Sequence, residues 1–177
     1  CVTVVDSHTL TGNPQELIAR GEPVPAYRLL EPLLGELDIF FTSADEARMI
    51  RNTLDPAHTA RGLDTRETIL SFLEFLVARF ASQGPRRTRL FGVTVKNGAY
   101  VRLAGPDGSV GETVFVASRF MVGGVVDLVG AGDSFRAGLV AAVAMARGEF
   151  LDGTLDVAES GQEGKLIARL CVTSAVV

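Results

Sequence analysis

The most informative segment of this chain is Val126-Asp127-Leu128-Val129-Gly130-Ala131-Gly132-Asp133-Ser134-Phe135-Arg136-Ala137-Gly138. Two of its glycines flank an alanine, so the chain can turn tightly there and a ligand can approach the backbone N–H groups. The Ala-rich residues 134–147 predict a close-packed helix directly after the turn. Because the turn opens that helix, its N–H groups lie at the positive end of the helix dipole, which favours phosphate oxygens.

A carboxylate, Asp133, follows the turn at once. A carboxylate beside an anion site repels phosphate, so a chemical role would explain its presence. One such role is to accept a proton from a hydroxyl group whose oxygen then attacks phosphorus. The alternative is that Asp133 only caps the helix while Gly130 and Gly132 relieve the turn. The residues alone leave both interpretations open.

Two common phosphate-binding motifs are excluded at this turn. A Walker A loop needs Gly-Lys-[Ser/Thr] after the glycines, and none follows. The dinucleotide fingerprint G-x-G-x-x-G needs a third glycine at the position that Phe135 occupies.

Outward from this stretch, apolar strand patterns alternate with helical ones. Strands are predicted at 2–5, 37–42, 90–95, 99–103 and 113–117, and helices at 29–34, after Ser43, at 65–82, 134–147 and 162–175. Asn97-Gly98 predicts a hairpin turn. This order predicts an α/β layered domain with a mainly parallel central sheet flanked by helices.

Composition narrows the classes of function. The 177 residues carry 17 basic and 21 acidic side chains, a net charge of −4, which argues against nucleic acid as a partner. Cys1, Cys171, His8 and His58 show no zinc-ligand spacing, and two cysteines cannot build a disulfide framework. No apolar run is long enough for a membrane span and no secretory signal is visible, so we expect a cytoplasmic protein. The chain opens without Met inside a strand pattern, and we expect residues upstream of it.

Residues 127–138 resemble the second signature of the pfkB (ribokinase-like) carbohydrate kinase family, D-T-x-G-A-G-D-x-F-x-A-G. Eleven of these twelve positions accept the residues present, and Leu128 stands where Thr is usual. The resemblance implies a ribokinase-like fold and an ATP-dependent kinase that phosphorylates a hydroxyl of a small sugar or related substrate. It further implies that Asp133 is the catalytic base and that Gly130, Ala131 and Gly132 form an anion hole.

The same resemblance implies residues that bind cofactors. Asp127 is expected to help hold a monovalent cation such as K⁺, although it can equally cap a loop. Glu46 is expected to organise Mg²⁺, in a segment similar to the family's N-x-x-E with Ser43 in place of Asn. From the residues alone, Ser43 and Glu46 also predict a helix capping box. Residues 93–99 resemble the family's T-L-G-x-x-G-A nucleotide segment shortened by one residue, which implies that Thr94 and Gly98 bind ATP.

The family's glycine-rich sugar-binding segment and its small β-lid are not visible in the sequence. We therefore expect residues 1–177 to form a single ribokinase-like α/β domain that is incomplete, lacking the N-terminal substrate and lid part. Two alternatives remain: a non-catalytic nucleotide-binding remnant of the same fold, and a flavodoxin-like module whose turn holds another anion. The identity of the small-molecule substrate and the oligomeric state stay open, and no membrane partner is expected.

Overall fold

Five strands and four α-helices form the part of the chain that the computed structural model describes, residues 1–7, 16, 22–58, 65–117, 131–145 and 147–148. The strands are β1 (Val4–Asp6), β2 (Ile39–Ser43), β3 (Arg89–Val95), β4 (Gly98–Ala104) and β5 (Val114–Ala117). The α-helices are α1 (Glu31–Leu34), α2 (Ala44–Leu54), α3 (Arg66–Phe80) and α4 (Ala131–Met145), and a 3₁₀ helix, Pro25–Leu30, precedes α1. No helix in these ranges has the length and hydrophobicity to cross a membrane.

The strands form one sheet in the order β1-β2-β3-β4-β5. β1, β2 and β3 are parallel, whereas β4 and β5 are each antiparallel to the preceding strand. The α/β class is confirmed, and the predicted hairpin at Asn97-Gly98 makes the described sheet mixed. Because three parallel strands end side by side, residues 6–7, 42–43 and 94–95 share one edge of the sheet, which we call the carboxyl edge.

Helices cover both faces of the sheet. Residues alternate between the faces along a strand, so Phe40 packs with α2 and α3 while its neighbours Ile39 and Phe41 pack with α4 on the other side. Burial on both faces explains why β2 is a continuous apolar run. The result is a three-layer α-β-α arrangement of the described elements.

Local sequence signals place most boundaries within two residues. The predicted helix at 65–82 runs from Arg66 to Phe80, and Thr65 caps it by accepting a hydrogen bond from the backbone N–H of Thr68 at 3.4 Å. The first strand is shifted to Val4–Asp6, because Thr3 instead donates its backbone N–H to the carboxylate of Asp38 at 2.8 Å. The helix predicted at 162–175 lies outside the described residues.

A buried arginine joins two helix ends at the opposite edge of the sheet. The side chain of Arg89 is 1% exposed, and its guanidinium donates to the carbonyl oxygens of Leu34 and Phe80, the last residues of α1 and α3. It also donates to the carbonyls of Gln83 and Pro85 just beyond α3. Helix C-terminal carbonyls lack partners within the helix and carry partial negative charge. The guanidinium supplies them with both hydrogen-bond donors and a positive charge.

Candidate active site

The first turn of α4 brings Asp133 to the carboxyl edge. Arg136, one turn along the helix, donates from Nη1 to Asp133 Oδ1 at 2.6 Å. The same guanidinium donates from Nε to Asp6 Oδ2 at 2.6 Å, and Asp6 is the last residue of β1. The Asp133 side chain is 80% exposed, so it can meet a ligand at this edge.

Packing beneath the sheet fixes where α4 lies. The ring of Phe135 packs edge-to-face on Phe41 of β2, with centroids 5.1 Å apart. The Phe41 ring in turn lies over Gly92 of β3, where a Cβ atom would come within 2.2 Å of it. Leu139 and Val143 continue the contact deeper in the core. Gly92 therefore leaves room for the packed rings of Phe41 and Phe135, which hold the start of α4 against the sheet.

A second group of polar side chains lies at the start of α2. Glu46 Oε2 accepts hydrogen bonds from the backbone N–H of Ser43 at 3.1 Å and from its hydroxyl at 2.9 Å. The Ser43 hydroxyl oxygen accepts in return from the Glu46 backbone N–H at 3.3 Å, which completes the predicted capping box. Glu46 is 6% exposed. Burial, reinforced by the negative charge of Glu46, raises the pKa of Tyr27 well above its ordinary range.

Hydroxyl groups link the ends of the three parallel strands. The Ser7 hydroxyl donates to Thr42 Oγ1 at 2.7 Å, and the Thr42 hydroxyl lies 3.5 Å from Glu46 Oε2. Thr94, at the end of β3, donates to the Thr42 carbonyl at 3.4 Å. Since Asp6 and Ser7 are neighbours in the chain, this network and the Asp133–Arg136 pair meet at the end of β1.

Comparison with known proteins identifies the family. A model of the pfkB family of carbohydrate kinases matches residues 20–176. This chain belongs to the pfkB family. No curated protein matches the sequence.

Solved structures agree on the fold of this pfkB-family chain. It is similar to adenosine kinase from Trypanosoma brucei brucei, with 19% identity and a TM-score of 0.53 over 85% of this chain and 39% of that one. It is also similar to adenosine kinase from Schistosoma mansoni in complex with adenosine, with 16% identity and a TM-score of 0.56 over 98% and 41% of the two chains. At these identities the likeness shows the ribokinase-like fold, and the chain spans about two fifths of the length of these proteins.

The structure locates some of the site residues predicted from the sequence. It places Asp133, Glu46 and Thr94 at the carboxyl edge, and the backbone of Ala131 and Gly132 in the first turn of α4. Asp127 and Gly130 lie outside the described residues. Gly98 opens β4, where a Cβ atom would come within 2.1 Å of the Val116 carbonyl oxygen of β5, so pairing of these strands already requires a glycine there.

Four further residues of the site, Asp6, Ser7, Thr42 and Arg136, are not among the catalytic, cofactor-binding or metal-binding residues predicted from the sequence. Three of them lie within one residue of the end of a parallel strand, and that position is a usable signal because ligands of α/β sheets bind at the carboxyl ends of strands. Arg136 occupies a variable position of the pfkB signature, so the motif gives no signal for it.

The oxygen-bearing side chains at the start of α2 suit an Mg²⁺ ion whose other ligands are water and substrate phosphates. Among the described residues, no three His, Cys, Asp or Glu side chains gather to hold a metal ion. Mg²⁺ usually keeps several waters and binds through one or two carboxylates together with substrate phosphates. A single buried carboxylate, Glu46, beside the hydroxyls of Ser43 and Thr42 fits such an arrangement.

Proposed function

We propose that this chain contains the phosphoryl-transfer site of a kinase that uses ATP to phosphorylate a hydroxyl group of a small sugar or related substrate. Membership of a family of carbohydrate kinases supports the reaction class. The observation that carries the proposal is the position of Asp133, an exposed carboxylate in the first turn of a 15-residue helix at the carboxyl edge. What distinguishes Asp133 from an ordinary acidic residue of a first helical turn is its place at the carboxyl edge, where ligands of α/β sheets bind.

In the proposed reaction Asp133 accepts the proton of the substrate hydroxyl. The hydroxyl oxygen forms a bond to the γ-phosphorus of ATP as the bond between that phosphorus and the oxygen bridging to ADP breaks. The first N–H groups of a helix have no partner within it, and those of Ala131 and Gly132 open α4. Together with Gly130 they form the proposed anion hole for the charge that develops on the transferred group.

Glu46 is the residue proposed to hold Mg²⁺ through its waters, and Asp127 is proposed to help hold K⁺. When bound, Mg²⁺ neutralises charge on the ATP phosphates. Glu46 is held by hydrogen bonds on Oε2, so its carboxylate is oriented before any ligand arrives. Thr94 at the carboxyl edge and Gly98 are the proposed contacts to the nucleotide.

The proposed acceptors are small molecules: sugars, sugar acids and nucleosides. The nucleosides are included because one structural neighbour is an adenosine kinase in complex with adenosine. The net charge of −4 argues against nucleic acid. A cytoplasmic location is proposed, since the reaction consumes ATP.

The test is ADP release by the purified protein with ATP, Mg²⁺, K⁺ and a panel of these acceptors. We expect acceptor-dependent ADP release that falls by roughly 100-fold or more in Asp133→Asn, because a positioned base contributes about 10²–10⁴-fold. Glu67→Gln is the matched control: it also neutralises an exposed carboxylate in the first turn of a 15-residue helix, α3, and should keep full turnover. Unchanged turnover in Asp133→Asn would overturn the assignment of the base.

The capping box favours a second candidate, a nucleotide-binding remnant without catalysis. Ser43 and Glu46 satisfy each other in the structure, which gives both a structural role that needs no metal. ATP would then raise the melting temperature of the protein while no acceptor in the panel supports ADP release.

A further inference from the structure

The guanidinium of Arg136 joins two carboxylates that are remote from each other in the sequence. Its Nε donates to Asp6 Oδ2 and its Nη1 to Asp133 Oδ1, each at 2.6 Å. Arg136 and Asp6 are 130 residues apart, so the contact depends on the packing of α4 against β1. The guanidinium is planar and rigid, so fixing one of its nitrogen atoms also limits where the others lie.

Unequal burial decides which carboxylate fixes the guanidinium. The Asp6 side chain is 14% exposed and that of Asp133 is 80% exposed. An exposed ion pair within a helix turn is weak, because water screens it. The pair with Asp6 is better shielded, and the hydrogen bond to Asp6 is the main reason that the pKa of Arg136 is raised. Asp6 therefore holds Arg136, and Arg136 offers a fixed donor to Asp133.

We propose that Arg136, held by Asp6, is a positioning residue that orients the carboxylate of Asp133 for proton transfer; the proposal rests on the proposed role of Asp133 as base. With Oδ1 bound to Arg136, Oδ2 is the oxygen that makes no hydrogen bond to the described residues and accepts the substrate proton. Asp6, Arg136 and Asp133 together carry a single net negative charge, since one guanidinium lies between two carboxylates.

A purely structural role makes a different prediction. If Arg136 only ties α4 to β1, its loss lowers the melting temperature and leaves turnover unchanged at temperatures where the variant is folded. If Arg136 positions the base, its loss lowers kcat while the KM for ATP stays the same, because the contact acts on the proton acceptor and not on the nucleotide. A lower kcat with an unchanged KM for ATP therefore distinguishes the positioning role from the structural one.

The experiment measures kcat, the KM for ATP and the melting temperature for Asp6→Asn, Arg136→Gln, Arg136→Lys and the double variant Asp6→Asn/Arg136→Gln. Assays run about 15 °C below the melting temperature of the least stable variant. We expect kcat to fall by roughly 10–100-fold in both neutral single variants, since small misplacement of a reacting group costs up to about 10²-fold. The kcat of the double variant should be no lower than that of the slower single variant, because both substitutions disrupt the same contact between Asp6 and Arg136. Arg147→Gln, an exposed arginine, is the matched control and should be unchanged.

The outcomes separate the two proposals. Wild-type kcat in Asp6→Asn and Arg136→Gln, with Asp133→Asn inactive, would overturn the positioning role and leave the base in place. Wild-type kcat in Asp133→Asn, or a wild-type protein without acceptor-dependent ADP release, would overturn both. If Arg136→Gln does not fold, Asp6→Asn and Arg136→Lys decide: the first frees the guanidinium and the second keeps the charge without the planar fork, so each should lower kcat. Wild-type kcat in both would overturn the positioning role.

Discussion

Replacing Arg89 with Met should destabilise the domain more than any other single arginine change at the amino end of β3. The guanidinium donates to the Phe80 carbonyl at 2.8 Å and makes a shorter contact to that of Gln83, while its contacts to Leu34 and Pro85 are 3.4 Å long. Burial lowers the pKa of Arg89, because the buried surroundings disfavour the charged form of the guanidinium. The carbonyl contacts must offset that cost.

The magnitude follows from the two short hydrogen bonds. A hydrogen bond to a charged group contributes about 1.5–3 kcal/mol, so two contribute about 3–6 kcal/mol. Methionine fills much of the same space and carries no charge that must be desolvated. Part of the lost free energy of unfolding is therefore recovered. The substitution also removes the guanidinium donor from the carbonyls of Leu34, Phe80 and Gln83, of which Phe80 keeps the backbone N–H of Gln83 at 3.1 Å. We expect a net loss of about 3 kcal/mol, or a fall of roughly 6–12 °C in melting temperature for a chain of this size.

Urea unfolding followed by far-ultraviolet circular dichroism measures this loss as a lower midpoint with an unchanged slope. Arg86→Met is the matched control, since Arg86 is exposed three residues earlier and should change stability by less than about 0.5 kcal/mol. Arg89→Lys should fall between the two, because one ammonium cannot reach carbonyls at both helix ends. If Arg89→Met is as stable as the control, the carbonyl contacts do not outweigh the desolvation of the guanidinium and the explanation is wrong.

Three further changes test other parts of the fold. Gly92→Ala should lower stability by about 1–3 kcal/mol in urea unfolding, because the new methyl group overlaps the Phe41 ring; Gly148→Ala, with open space around it, should not, and equal effects would refute the close contact. Ser43→Ala should lose about 1 kcal/mol by removing the capping box of α2, and no loss of stability would show that water replaces the cap. Burial raises the pKa of Tyr27, so its contribution to stability is complete below about pH 10, where the unfolded chain begins to ionise, and is lost as the pH rises further. Tyr27→Phe should therefore lose less stability than the wild type between pH 9 and 11, and parallel curves would contradict this.

Elements defined by neighbouring residues could be predicted from the sequence. The stripe Ile69, Phe72, Leu73, Leu76 and Phe80 is buried as its spacing indicates, and the capping box forms where Ser43 and Glu46 predict it. Spacing alone does not say which face of a helix meets the core. Leu33 and Leu34 fit the same helical pattern, yet Leu33 is 51% exposed and Leu34 is fully buried, because the sheet lies on one side only.

Contacts between remote segments could not be predicted in the same way. Nothing near Gly92 in the sequence indicates that the ring of Phe41 needs its space, since the ring belongs to the neighbouring strand. The ion pair between Asp6 and Arg136 depends on the order of the strands and on where α4 packs against the sheet. The sequence thus predicts the catalytic candidate Asp133 through its motif, while the contact of Arg136 with both Asp133 and Asp6 becomes visible only in three dimensions.

Two carboxylates of the site, Asp133 and Glu46, differ in environment, and this difference supports the roles proposed for them. A base must be reached by the hydroxyl that it deprotonates and must have an oxygen to accept the proton. Asp133 meets both conditions, being 80% exposed with Oδ1 alone bound to Arg136. Glu46 is 6% exposed, and its Oε2 already accepts hydrogen bonds from Ser43, so it is suited to orient water and not to exchange protons with a substrate. Two carboxylates in unlike surroundings commonly divide the work in this way, and the exposed one at the helix start is the group on which the proposed reaction depends.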